Sequence, residues 1–212
     1  MKKIILAIVT ATFMVNMSIA QEDPMDLREN LTFGIKVGAN LSNVYDSKGQ
    51  DFNADAKLGL ATGVFVGIPL GKYLGIQPEL LYSQKGFKAT GNILGSAYEF
   101  KRNTNYLDVP LLIALKPNSM LTILAGPQLS FLLNEKYDFK NNVLSGEMQN
   151  KFDNEDLRKN TLCLTGGLDI NMANLVISGR AGWDLKENNK DGTSTTPRYK
   201  NVWLQATIGF RF

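Results

Sequence analysis

Thr32-Phe33-Gly34-Ile35-Lys36-Val37-Gly38-Ala39-Asn40-Leu41-Ser42 alternates apolar with polar or small residues without a break, which is the period-two signature of a strand with two unlike faces. Phe33, Ile35, Val37, Ala39 and Leu41 share one face; Thr32, Gly34, Lys36, Gly38, Asn40 and Ser42 share the other. The same period recurs and predicts strands at 31–43, 58–69, 74–88, 104–116, 120–134, 160–172, 174–186 and 199–212. Connections alternate as well. Residues 70–73, 117–119 and 172–174 read as tight turns, while 44–57, 89–103, 135–159 and 187–198 are long and polar.

Strict short-long succession places every tight turn at one end of an up-and-down meander, as in bacterial outer-membrane barrels, whose turns are periplasmic and whose loops are extracellular. A soluble ligand-binding barrel of eight strands would alternate too, so the question is which face meets water. The polar phase carries eight charges, on Lys36, Glu79, Lys85, Asp108, Asp169, Arg180, Asp184 and Arg211. That is about one position in six, below the roughly 25–35% charged share of a water-facing surface. The same phase is rich in glycine, which suits a narrow interior better than a solvated strand. The polar phase is therefore assigned to the lumen, and the fold class to an all-β, eight-stranded antiparallel up-and-down transmembrane β-barrel. On that assignment Phe33, Phe210 and Phe212 form an aromatic girdle at the periplasmic rim, and Tyr82, Phe131 and Trp183 one near the opposite rim.

Met1-Lys2-Lys3, the apolar run to Val15 and the small-x-small Ser18-Ile19-Ala20 read as a secretory signal peptide over residues 1–20, cleaved between Ala20 and Gln21. A short periplasmic segment, 21–30, and the barrel, 31–212, complete the expected organisation. Loss of Lys2 and Lys3 leaves 21 basic against 20 acidic residues, +1 instead of +3, which gives no support for nucleic-acid binding. The chain has no histidine, which excludes Ser-His-Asp or Cys-His catalysis and His-ligated metal, and its single cysteine excludes an internal disulfide.

Four stretches carry a family resemblance: Phe33 to Ser42; Gly75-Ile76-Gln77-Pro78-Glu79-Leu80-Leu81-Tyr82-Ser83-Gln84-Lys85-Gly86-Phe87; Tyr106-Leu107-Asp108-Val109-Pro110-Leu111-Leu112; and Ile208-Gly209-Phe210-Arg211-Phe212. With the exported start, they resemble the small outer-membrane β-barrel proteins of Bacteroidetes-type bacteria, the PorT-like or "porin family" group. Asp108 stands where that pattern has Glu. The resemblance implies residence in the cell outer membrane with a periplasmic N-terminus. It also implies a terminal aromatic, Phe212, read by the outer-membrane assembly machinery, and in one member group a part in protein secretion or gliding.

Inside so narrow a barrel the eight charges form either an ion-pair core or the selectivity ring of a narrow porin-like channel. The core is the expected state, since eight strands enclose packed side chains. Glu79 and Asp108 are expected at mid height, approached by Lys36 and Arg180, with Arg211 and Asp169 lower and Lys85 and Asp184 near the outer rim. Enzymatic chemistry is not expected: Ser130, Asp169 and Asp184 read as structural, and Cys163 as a small packing residue. Asp51 with Asp55, and Asp153 with Glu155 and Asp156, do not match a calcium loop, so neither metal nor cofactor is expected. The expected partners are outer-membrane lipid, the assembly machinery and an envelope protein bound through the extracellular loops. The longest of those, 135–159, carries Leu144, Met148, Phe152 and Leu157.

Overall fold

The computed structural model describes residues 26–45, 54–93, 96–141, 145–150, 159–187 and 199–212. The expected signal peptide with its Ala20–Gln21 junction, Asp51, and Asp153, Glu155 and Asp156 lie outside the described residues. Nine strands follow one another: β1 (Thr32–Tyr45), β2 (Ala54–Pro69), β3 (Leu74–Ile93), β4 (Ser96–Leu115), β5 (Leu121–Asn141), β6 (Ser145–Asn150), β7 (Asn160–Met172), β8 (Leu175–Asp184) and β9 (Lys200–Arg211). All strand pairs are antiparallel, in the order β4-β3-β2-β1-β9-β8-β7-β5, and β4 also pairs with β5, which closes the ring at eight strands. Strand β6 lies outside the ring as a hairpin partner of the far end of β5, Glu135–Lys140.

The faces are sorted as the alternation demands. In β1, Phe33, Ile35, Val37 and Leu41 are exposed, whereas Thr32, Lys36, Asn40 and Ser42 are buried. In β9, Val202, Leu204, Ile208 and Phe210 are exposed, whereas Asn201, Trp203, Gln205 and Thr207 are buried. A protein whose leucines and isoleucines face out and whose lysines and aspartates face in inverts the usual sorting. Such a surface suits hydrocarbon, where closure also removes the unpaired strand edges that lipid would penalise.

The long connections are more ordered than their polarity predicts. Strands β3 and β4 run on to Ile93 and Ser96, so that the expected loop 89–103 is largely a ladder. The expected loop 135–159 begins as the continuation of β5 and contains β6. Polarity marks where a strand leaves the apolar belt, but ladder hydrogen bonds persist beyond it. An extra residue in β5, where Asn105 pairs with Asn134 but Tyr106 with Leu132, also breaks the alternation there.

Candidate functional site

The lumen holds the charged residues in layers. In the layer nearer the short turns, Lys36 of β1 extends past Gly63, its neighbour on β2, which places no side chain in the way. Its Nζ lies 2.5 Å from Glu79 Oε2 on β3 and 5.4 Å from the centre of the Phe65 ring. The other oxygen of Glu79 faces Arg180 Nη2 at 3.5 Å, and Arg180 Nη1 lies 2.6 Å from Asp169 Oδ1 on β7. Because β3 and β8 stand opposite one another in the ring, the Glu79–Arg180 pair crosses the full width of the barrel. Gln77 adds a second crossing, donating to Glu79 Oε1 at 2.9 Å and to Asp169 Oδ2 at 3.4 Å. Two cations thus meet two anions, all buried, which is the condition under which charge survives away from water.

The layer above runs around the wall instead. Lys85 Nζ of β3 lies 2.9 Å from Asp108 Oδ2 of β4. Ser130 of β5 donates to Asp108 Oδ1 at 2.5 Å and stands 3.3 Å from the Cys163 sulfur on β7. Cys163 donates to Asp184 Oδ1 of β8 at 3.1 Å, and Asp184 Oδ2 accepts from the Asn201 side chain of β9 at 2.5 Å. Six of the eight ring strands contribute one member each. The space they encircle is filled by Trp203, whose ring centre lies 3.7 Å from Lys85 Nζ, with Tyr106 5.0 Å away on another side. A desolvated cation over an indole gains roughly 2 kcal/mol. Gly182 provides the seat for that indole: a Cβ there would stand 2.3 Å from the Trp203 ring. Gly34 does the same for Phe65 in the lower layer.

These contacts correct part of the expected pairing. Glu79 meets both Lys36 and Arg180, as expected, but Asp108 meets neither, because Lys85 on the adjacent strand reaches it first. Arg211 is held by neutral groups: its Nε donates to the Ala173 carbonyl at 2.9 Å and its Nη1 to Asn171 Oδ1 at 3.1 Å. Lys85 and Asp184 do not mark the end of the lumen, because a third layer lies above them. There Arg102 of β4 is paired with Glu135 of β5, and its guanidinium lies 4.9 Å from the Tyr199 ring centre. Phe87 packs edge-on against Tyr199, with Val44 alongside. Neither Arg102 nor Glu135 was expected, since both fell in segments read as loops. Arg102 keeps the phase of Thr104, Tyr106 and Asp108, so continuing the alternation was the available signal. Glu135 faces inward because of the extra residue in β5.

The expected girdle residues all leave the lumen: Phe33, Trp183, Phe210 and Phe212 are exposed, and Tyr82 and Phe131 half-exposed. Ser130, Cys163 and Asp184 are buried, and Cys163 links the other two. Among the described residues no group of three His, Cys, Asp or Glu side chains is placed to hold a metal. Below the barrel, Arg28 Nη2 holds Asp26 at 2.7 Å, which brings the exposed Asp26 carboxyl down to about 2.

A family model described as the outer membrane protein β-barrel domain matches residues 19–187. Among solved structures, the chain is similar to Ail, the attachment invasion locus protein of Yersinia pestis, in complex with the heparin analogue sucrose octasulfate. Identity is 15%, coverage 86% of this chain and 99% of that one, and the TM-score 0.48. Neisserial surface protein A (10% identity, 85% and 97% coverage, TM-score 0.45) and OprG from Pseudomonas aeruginosa (12%, 85% and 95%, 0.44) are also similar. No curated protein matches the chain.

Proposed function

This chain belongs to the outer membrane protein β-barrel domain family, and on that premise we propose that it is a non-enzymatic, non-conducting barrel whose role is structural or lies in binding a partner. It is an outer-membrane β-barrel protein. The carrying observation is the Glu79–Arg180 pair, which spans the lumen between opposite strands. A water-filled pore needs an open axis, and here the axis is crossed by side chains that need each other's charge more than they need water. Above the crossing, Trp203 and Lys85 occupy the next level. The histidine-free sequence and the mutual bonding of Ser130, Cys163 and Asp184 support the absence of catalysis. In planar bilayers the purified barrel is expected to give negligible conductance; steady channels of uniform size would overturn the non-conducting reading in favour of a narrow porin-like channel.

A binding role is favoured by the ladder that continues beyond the belt, where β3, β4, β5 and β6 form a sheet reaching past the ring. Ordered strands present a surface that a solvated loop does not. This end is where we place an envelope protein partner, including the PorT-like possibility of a component of a secretion or gliding apparatus. The short-turn end and the N-terminal segment are placed in the periplasm, lipid around the apolar belt, and the assembly machinery at Phe212. Deleting residues 140–157 is expected to abolish co-purification of a partner while leaving membrane insertion intact. Unchanged co-purification would leave the structural role alone.

A further inference from the structure

The mouth of the barrel at the short-turn end contains a cleft whose inner wall, Phe65, Gln77 and Asp169, is shared with the lower lumenal layer. Arg28 from the segment before β1, Lys116 from the turn after β4 and Arg211 from the end of β9 line it together with Thr32, Gln77 and Asn171. Three cations from distant parts of the sequence therefore converge on one opening. Arg28 is compensated by Asp26 at 2.7 Å. Lys116 and Arg211 have no carboxylate within ion-pair distance among the described residues. Lys116 Nζ donates to the Arg28 carbonyl at 2.9 Å, and Arg211 uses the Ala173 carbonyl and the Asn171 amide oxygen. The carboxylate that does line the cleft, Asp169, is already held by Arg180 at 2.6 Å. Partial burial, then Arg211, then Arg28, push the Lys116 ammonium below the ordinary lysine value, with Asp26 offsetting them only in part.

We propose that this mouth is an anion site whose ligand class is the phosphate monoester, free or as the headgroup of a lipid. Two cations outside any ion pair match a group that carries about −1.5 to −2 charge near neutral pH and offers three acceptor oxygens, whereas a carboxylate brings one charge. The guanidinium of Arg211 has further N–H groups in the fork geometry that phosphate oxygens fit. Leu70, Tyr73, Phe33 and Phe212 are exposed at the same end of the barrel, so a lipid phosphate at the bilayer surface and a dissolved phosphomonoester can approach the same cations.

The test uses the full chain in maltoside micelles, which contribute no phosphate of their own, and reads the phosphorus NMR linewidth of inorganic phosphate. Saturable broadening is expected, weakened about tenfold by Lys116→Gln through loss of a charge-assisted hydrogen bond. Lys72→Gln, at the same end but outside the cleft, is expected to leave it unchanged. The native shift in gel mobility on heating confirms that each variant is a closed barrel. Absence of saturable broadening, full retention of binding by Lys116→Gln, or an equal loss in Lys72→Gln would each overturn the site. Displacement by dihexanoyl phosphatidic acid at lower concentration than by glycerol 3-phosphate supports the site and assigns it to lipid; equal displacement supports it and assigns it to the free monoester.

Discussion

The lower two of the three charged layers of the lumen solve one problem in different ways. The lower layer is built across the barrel: Glu79 on β3 is held from β1 by Lys36 and from the opposite wall by Arg180. The upper layer is built along the wall, as the chain Lys85, Asp108, Ser130, Cys163, Asp184, Asn201, in which each link joins ring neighbours and three of the six members are neutral. A crossing pair fixes the distance between opposite walls, whereas a wall chain fixes the register of adjacent strands, which the ladders already specify. The lower layer therefore depends more on each charge. The upper one spreads its polar demand over hydroxyl, thiol and amide groups and leaves its centre to Trp203.

Glu79→Ala strikes the lower layer hardest, because it leaves Lys36 without its ion-pair partner and Arg180 with one partner fewer. It is expected to cost about 3–5 kcal/mol, read as a lower urea midpoint for unfolding from liposomes. A loss below 1 kcal/mol would show that the crossing is not what holds the walls. Trp203→Ala probes the upper layer's centre and is expected to cost about 3–5 kcal/mol from the cavity, with the added loss of the Lys85 contact. Between the layers, Arg180→Ala is expected to raise the bilayer conductance above that of the unmodified barrel, whereas Cys163→Ala is not. In stability Cys163→Ala is expected to cost about 1 kcal/mol, the net value of an ordinary hydrogen bond. It should also remove a thiol that a maleimide reaches only after unfolding, because Cys163 is wholly buried.

The smallest effect lies outside both layers. Asp26 is fully exposed and its carboxyl is held down by the Arg28 side chain, so the interaction is complete above the ordinary aspartate value of 3.8 and is lost as pH falls through about 2. A carbon NMR titration is expected to show that low midpoint, with no detectable change in barrel stability across it, since exposed pairs contribute little.

Much of this site was legible from parity alone. Lys36, Glu79, Lys85, Asp108, Asp169, Arg180 and Asp184 fall in one alternating phase and all seven side chains are buried in the lumen. What parity could not give was partnership. Asp108 pairs with Lys85 because β3 and β4 set the register Leu81 to Asp108 and Lys85 to Thr104, and a long lysine stem leans along the strand to cover the offset. The Arg102–Glu135 pair was hidden for another reason: the bulge in β5 shifts the phase between Ser130 and Glu135, so a period-two reading that stops at the bulge places Glu135 in a loop. Arg211 was assigned to the right end of the barrel, yet its neighbours are carbonyl and amide oxygens contributed by the turn after β7 and by Asn171, groups that a count of charges does not see.

The class of protein follows from alternation in the chain. A period of two repeated through eight segments, an uncharged phase against a charged one, and turns of alternating length leave few architectures other than a closed antiparallel barrel facing lipid, because backbone geometry sends successive side chains to opposite faces. The tertiary structure alone decided which charges meet. Closure brings β3 opposite β8, and only then do residues separated by a hundred positions, Glu79 and Arg180, stand close enough in a water-poor lumen for each to be the other's counter-ion. Closure likewise gathers Arg28, Lys116 and Arg211 at one mouth, since the ends of distant strands become neighbours when the sheet meets itself.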